Sequence, residues 1–343
     1  ITLALNALAE GRAFLALGSY AVSDDGRLLA YSLDTNGFRD YALSVKDLAT
    51  GEVLCERIEH VSSVAWAADR ALFFYTVEND AKRSYRLYRH VLGVAEDTLL
   101  FEETDERFDL SVRRTRSGAW LLLEANSHTS SETRVLPAAR PHEMWRLIAP
   151  RRAEHEYAVD HRDDTFIVRT NDRGRHFRIV AAPLATPGEE HWRELVPHRD
   201  GVMIDEALAF RRHLVLFERE AGTPQIRVLD RDGGAHRVEF AEPIYAVYPY
   251  KNRVYDTTAL RLTFESLVTP PSVYEYDMDA RARRLVKQVA VPGYDPAGYR
   301  SERLHAVATD GVSVPVSLVF REGLFARGPA PLLLYGYGAY GVS

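Results

Sequence analysis

A strand-rich unit recurs along this 343-residue chain with a period in the forties. Stretches that open on alternating aromatic or β-branched residues begin near Tyr20, Val61, Phe108, His155, Val202 and Tyr245, at intervals of 41, 47, 47, 47 and 43 residues. The first unit spells the pattern best: YAVS, the turn DDGR, LLAYSLD, the loop TNGFRD, YALSVKDL, the turn ATGE and VLCERI. Asp25-Gly26 and Thr50-Gly51 are hairpin signals, and the alternation in YALSVKDL suits a strand with one buried face. The second unit repeats the order as VSSVAWA, ALFFYTVEN, SYRLYRHVL and DTLLFEE, and the fourth as HEYAVDH, DTFIVRTND, HFRIVAAPL and WRELVP. Four short strands per unit at this period specify the blade of a β-propeller, whose faces are buried only by neighbouring blades. Six blades are legible, and the leading ITLALNAL fits the outer strand of one more.

Composition narrows the function. Hydrophobic residues make up 46% and charged residues 27%, ordinary for a globular chain, and the formal charge of -6 is spread out, which speaks against a nucleic-acid partner. No apolar run approaches the ~18 residues that cross a bilayer, and the start lacks a signal-peptide pattern. The lone cysteine, Cys55 in the strand-like stretch Glu52 to Ile58, reads as a small buried hydrophobe and fits a reducing compartment. The expectation is a soluble, cytoplasmic protein with no membrane contact, continuing beyond both ends of the sequence. The twelve histidines are scattered, and no H-E-x-x-H or C-x-x-C occurs, so no metal and no cofactor is implied. His155 and His161 read as core or surface histidines. The clusters Glu102-Glu103, Asp163-Asp164 and Arg281 to Arg284 read as solvated turns. Ser, His and Asp abound, but a triad is defined by geometry, not composition.

From Pro292 the texture changes. PGYDPAGYRSERL is rich in Pro, Gly and Tyr without periodicity and reads as a linker, placed at residues 293–301 after a propeller over 1–292. Then come two strands hinged at Asp310-Gly311 and the run PLLL, read as a buried strand leaving through the glycine turn YGYGAYG. Two antiparallel strands followed by a first parallel one is how an α/β-hydrolase sheet opens, which makes residues 302–343 its start. In such a domain the loop after the third strand supplies part of the oxyanion hole and a G-x-S-x-G elbow follows; no G-x-S-x-G occurs here.

YEYDMD at Tyr274 to Asp279, LVKQVAVPGYDPAGYRSERL at Leu285 to Leu304, DGVSVPVSLVF at Asp310 to Phe320 and PLLLYGYGAYG at Pro331 to Gly341 resemble the oligopeptidase B branch of the prolyl oligopeptidase family of serine peptidases. PRRAEHEYAVDHRDDTFIVRTNDRG at Pro150 to Gly174 resembles the same family's propeller. The resemblance implies an all-β chain: a seven-bladed propeller, six blades of it recognisable, followed by the truncated start of an α/β-hydrolase catalytic domain. It implies short oligopeptides with a basic P1 residue as partners, cut after Arg or Lys in a cavity between propeller and catalytic domain. It places the Ser-Asp-His triad beyond Ser343, so these residues alone are expected to be inactive. Two site residues carry over: Tyr337 as oxyanion donor and Tyr340 as an aromatic of the substrate site. A phenol fixed where negative charge develops stabilises it at little reorganisation cost, each such donor being worth about 3–4 kcal/mol. By spacing alone, Tyr335, Tyr337 and Tyr340 also suit aromatic packing around a glycine turn. The alternative from another class is a free-standing propeller acting as a binding scaffold, since propellers host many functions.

Overall fold

The computed structural model describes residues 2–324 and 328–337, apart from the side chains of residues 55 and 56. Six four-stranded antiparallel meanders follow one another, each with its strands in chain order. The first comprises β1 (Ala16–Val22), β2 (Leu28–Asp34), β3 (Ala42–Asp47) and β4 (Val53–Ile58). The second comprises β5 (Val61–Trp66), β6 (Leu72–Glu78), β7 (Ser84–Val91) and β8 (Thr98–Glu102). The third comprises β9 (Asp109–Arg114), β10 (Trp120–Asn126), β11 (Ser131–Pro137) and β12 (Arg146–Leu147). The fourth comprises β13 (Tyr157–Arg162), β14 (Thr165–Thr170), β15 (Arg178–Pro183) and β16 (Arg193–Val196). The fifth comprises β17 (Val202–Ala209), β18 (His213–Glu220), β19 (Thr223–Asp230) and β20 (Ala235–Arg237). The sixth comprises β21 (Ala246–Pro249), β22 (Ala259–Glu265), β23 (Ser272–Asp277) and β24 (Ala282–Gln288). A hairpin, β25 (Tyr299–Val307) and β26 (Ser313–Arg321), comes last. The chain forms two compact units, Ile1–His198 with four sheets and Arg199–Ser343 with two sheets and the hairpin.

Alternation along the second strand of each sheet builds the core of the first unit. In β10, Leu121 and Leu123 join a cluster with Leu72, Phe74 and Leu87 of the second sheet. Their neighbours Trp120 and Leu122 point the other way and join Tyr157, Val159, Phe166 and Val168 of the fourth. β6 does the same: Phe74 faces the third sheet, whereas Phe73 and Tyr75 pack with Leu43 and Val45 of the first. A strand buried on both faces reads as an apolar run, and WLLLEAN and LFFYTVE are such runs. Each fully buried Leu or Phe contributes about 1.5–3 kcal/mol of transfer free energy. Polar links supplement the apolar contacts. Trp66 Nε1 donates to the Ala21 carbonyl at 2.9 Å, joining the second sheet to the first. In the second unit the same alternation puts Val215 and Phe217 of β18 against Leu260, Leu262 and Phe264 of β22.

Two sequence expectations fail. Among its described residues ITLALNAL supplies no strand; Leu5–Ala9 form a one-turn helix. LNALA holds good helix formers and no β-branched residue, and Gly11 at φ 72° turns the chain after it. PLLL is not a strand either: Leu332, Leu333 and Leu334 are 75%, 90% and 83% exposed, with no pairing partner among the described residues. A buried parallel strand needs neighbours on both edges, and an apolar run cannot supply them by itself. The turn at Asp310-Gly311 forms as read. Ala308 donates to the Val312 carbonyl at 2.9 Å, Asp310 accepts from Val312 at 3.0 Å, and Gly311 sits at φ 85°.

Candidate functional site

Tyr337 lies at the end of an irregular stretch, residues 328–337, and is 59% exposed, with Tyr335 at 84%. Among the described residues no hydrogen bond holds its hydroxyl. Both rings stand largely in solvent, and among the described residues neither is packed against the glycine turn. Tyr340 lies outside the described residues, as does the Cys55 side chain.

The structure does bring a serine and a histidine together, without making a triad of them. Ser117 Oγ is 2.8 Å from His161 Nδ1. The carboxylate beside them, Asp160, accepts the backbone N–H groups of Arg116 at 3.0 Å and His161 at 2.9 Å instead of orienting the ring. His161 Nε2 is buried without a partner, and the ring leans on Trp120 and Phe166. Burial lowers the imidazole's pKa, with nearby carboxylates opposing it, and burial raises that of Asp160 despite Arg113 and the two amides. A buried neutral histidine with no carboxylate on its second nitrogen holds a turn; it does not drive a nucleophile. His155 is likewise a core residue, its Nε2 2.9 Å from Thr170 Oγ1 and its pKa lowered by burial and then by Arg152. His176 and His198 stack with ring centroids 5.7 Å apart, which is half the donor set of a tetrahedral zinc site.

Of the charged clusters read as solvated turns, one holds a buried carboxylate and the others stay exposed. Glu103 is 5% exposed and accepts from Arg151 at 2.5 Å, and Arg151 also reaches Glu132 at 3.4 Å. Arg281 to Arg284 do not form a turn throughout: Arg283 lies over the rings of Phe240 and Tyr274, and Arg284 pairs with Glu275 at 2.9 Å. Arg178, 3% exposed, is held by Asp172 at 2.7 Å and Glu194 at 3.0 Å. Burial opposes ionisation of Asp172, but the Arg178 hydrogen bonds and charge override it and hold the carboxyl below the usual range. Pairs this well satisfied fix a geometry more than they add stability.

The second unit contains a cavity of about 490 Å³ that sequence reasoning did not find. β17 and β18 form one side, the Ile244–Pro249 segment another, and Arg303, Pro315 and Ser317 of the hairpin a third. The hairpin is seated on the β18–β19 turn: Arg303 Nη2 donates to the Ala221 carbonyl at 3.2 Å. That turn bends through Ala221 at φ 50° and Gly222 at φ 73°. Glycine is required there for the backbone, and a Cβ on Gly222 would stand 2.9 Å from Arg303 Nη2, which the flexible guanidinium could yield, and 3.4 Å from the Pro315 ring, an ordinary contact. Asp205 and Glu206 stand side by side in the cavity lining, both exposed, because a β-bulge between Ile204 and Glu206 interrupts the alternation of β17. The signal was present in VMIDEALA, where two acids in succession break a period-2 strand.

Comparison with known proteins agrees with this architecture. Residues 1–289 match the family signature "Prolyl oligopeptidase, N-terminal beta-propeller domain". Dipeptidyl aminopeptidase BI of Pseudoxanthomonas mexicana is 37% identical over 349 residues, covering 100% of this chain and 48% of the relative. Protease 2 of Moraxella lacunata is 33% identical, covering 99% of this chain and 50% of the relative. Among solved structures, oligopeptidase B from Leishmania major superposes with a TM-score of 0.92 at 26% identity, and oligopeptidase B from Trypanosoma brucei with 0.89 at 30%. Each covers 100% of this chain and 50% of the solved one. The chain thus spans about half the length of the relatives it matches. It belongs to the prolyl oligopeptidase family, and its six four-stranded sheets are those of that family's N-terminal β-propeller domain.

Proposed function

We propose that this chain is the substrate-gating half of an oligopeptidase B-like serine peptidase that cleaves short peptides after Arg or Lys in the cytoplasm. Residues 1–292 form the propeller, 293–301 lead from it into the hairpin, and 302–343 are the opening of the catalytic domain that is its partner. The observation that carries the reading is the sequence of elements at the C-terminal end. After the sixth sheet comes a registered hairpin, Val307 opposite Ser313, and then a glycine-tyrosine segment with Tyr337 presented to solvent. A free-standing scaffold has no evident use for that segment. A peptidase does, because attack on a peptide carbonyl needs a preorganised donor where the oxyanion forms. Tyr337 is assigned that role and Tyr340 the substrate contact. The nucleophile, its histidine and its aspartate belong to the catalytic domain, since no G-x-S-x-G occurs in these residues.

The test is a pair of assays on chromogenic peptides ending in Arg, Lys or a neutral residue. The 343-residue chain alone gives no turnover above background. The protein extended through its catalytic domain cleaves the basic substrates and is silenced by a serine-directed inhibitor. Inhibitor-sensitive turnover by the short chain, or equal cleavage of neutral and basic substrates by the long one, contradicts the reading.

A further inference from the structure

We propose that the loop from Asp34 to Asp40, with Phe38 at its tip, is a preformed anchor that docks into an apolar pocket of the catalytic half of the same protein. The proposal rests on the peptidase reading above, in which that half lies beyond Ser343, and adds a contact by which the propeller grips it. Phe38 is 73% exposed, in the connection between β2 and β3. The ring of Phe14, itself 42% exposed, flanks the loop, 3.6 Å from where a Cβ on Gly37 would stand.

A single exposed phenylalanine is ordinary. What sets this one apart is the rigidity of the loop that carries it. Asp34, 1% exposed, accepts the backbone N–H groups of Asn36 and Gly37 at 3.0 Å each and that of Arg39 at 2.8 Å. The Asn36 side chain accepts the Phe38 N–H at 2.8 Å and donates to Asp40 at 2.9 Å, and Asp40 pairs with Lys82 of the β6–β7 connection. Gly37 sits at φ 84° and Arg39 at φ 61°, the second a conformation that a non-glycine residue adopts only where its surroundings impose it. Four consecutive amides are thereby fixed by side chains, and the result is an aromatic ring held out in water. Such a loop is ordered before any partner arrives, so docking costs it little conformational freedom. The fourth sheet shows the alternative. At its own connection between second and third strands, Phe177 is 6% exposed and lies under the Arg169 guanidinium at 3.6 Å. An aromatic in this connection can be covered by its own sheet, and Phe38 is not.

Two observations point to the occupant. The curated relatives are about twice as long as this chain, which covers 48% and 50% of them. The hairpin that opens the catalytic half is seated on the β18–β19 turn, the second-to-third connection of the fifth sheet, and Phe38 occupies that same connection of the first. A bound peptide and a second copy of the chain are the competing occupants.

The test is Phe38→p-benzoylphenylalanine in the protein extended through its catalytic domain, irradiated and digested for mass spectrometry. Cross-links are expected to residues beyond Ser343 of the same polypeptide. Phe38→Ala, at unchanged melting temperature, is expected to raise chymotryptic cleavage at Tyr294 and Tyr299 about tenfold, the effect of losing one anchoring aromatic, and Phe38→Leu to raise it less. Cross-links confined to residues 1–343, to a second copy or to added acetyl-Ala-Arg-Ala-amide, no cross-link at all, or unchanged cleavage in Phe38→Ala overturns the proposal. The two readings fail separately. Cross-links beyond Ser343 in an extended protein that cleaves no peptide sink only the peptidase reading, and cleavage of basic substrates by a protein without those cross-links sinks only the anchor.

Discussion

Strand β10 and the hairpin β25–β26 share an antiparallel geometry and differ in what covers them. β10 is buried along nearly its whole length, odd residues against one sheet and even residues against another. The hairpin keeps a continuous register from Tyr299 opposite Arg321 to Val307 opposite Ser313, yet none of its residues is buried, and Leu304, Val307, Val312 and Val314 are 46%, 76%, 56% and 43% exposed. Register comes from the turn and from local pairing; burial has to come from another element. A propeller sheet finds that element one repeat away in sequence, whereas the described residues hold only a small seat for the hairpin, at Ala221 and Gly222.

The contrast is sharpest in stability. Leu121→Ala leaves a cavity between the second and third sheets and is expected to cost about 2–5 kcal/mol in denaturant unfolding. A loss of under ~1 kcal/mol would mean those sheets are not packed face to face as described. Trp66→Phe keeps most of the apolar volume but removes the donor to Ala21, leaving a carbonyl short of a partner; about 1 kcal/mol is the expected loss.

Titration adds a signed prediction. Burial raises the Asp160 carboxyl, so the stability tied to that group is present below the ordinary aspartate range and is lost as pH rises through its raised value. Burial lowers His155 and His161, so their contribution is present above the ordinary histidine range and is lost as pH falls through their lowered values. Asp160→Asn keeps an oxygen for both amides, and its advantage over the parent chain should grow from pH 4 to pH 8. Melting curves showing a pH-independent difference would contradict the assignment. At the small end, Val314→Ala on the uncovered hairpin should move stability by no more than ~0.5 kcal/mol.

The blades were legible because their signals are local. Strand alternation, Asp25-Gly26 and the period in the forties placed first strands at Val61 and Val202, where β5 and β17 begin. The reading faltered where an outcome depends on distant partners. Glu103 looks solvated beside Glu102 until Arg151, 48 residues away, closes on it. PLLL looks buried because apolar runs usually are, but a strand also needs strands to pair with. The acidic pair at 205–206 was visible as a break in alternation; that it lines a cavity depends on the hairpin about 100 residues later. The role proposed for Tyr337 comes from family resemblance alone, since glycine and tyrosine in a loop specify no chemistry by spacing.

The most direct measurement is kcat on an arginyl chromogenic peptide for the protein carrying its catalytic domain, with Tyr337 intact and as Tyr337→Phe. If the phenol holds the developing oxyanion, the variant loses about 10²–10³-fold in kcat with KM little changed. An unchanged kcat would contradict the account.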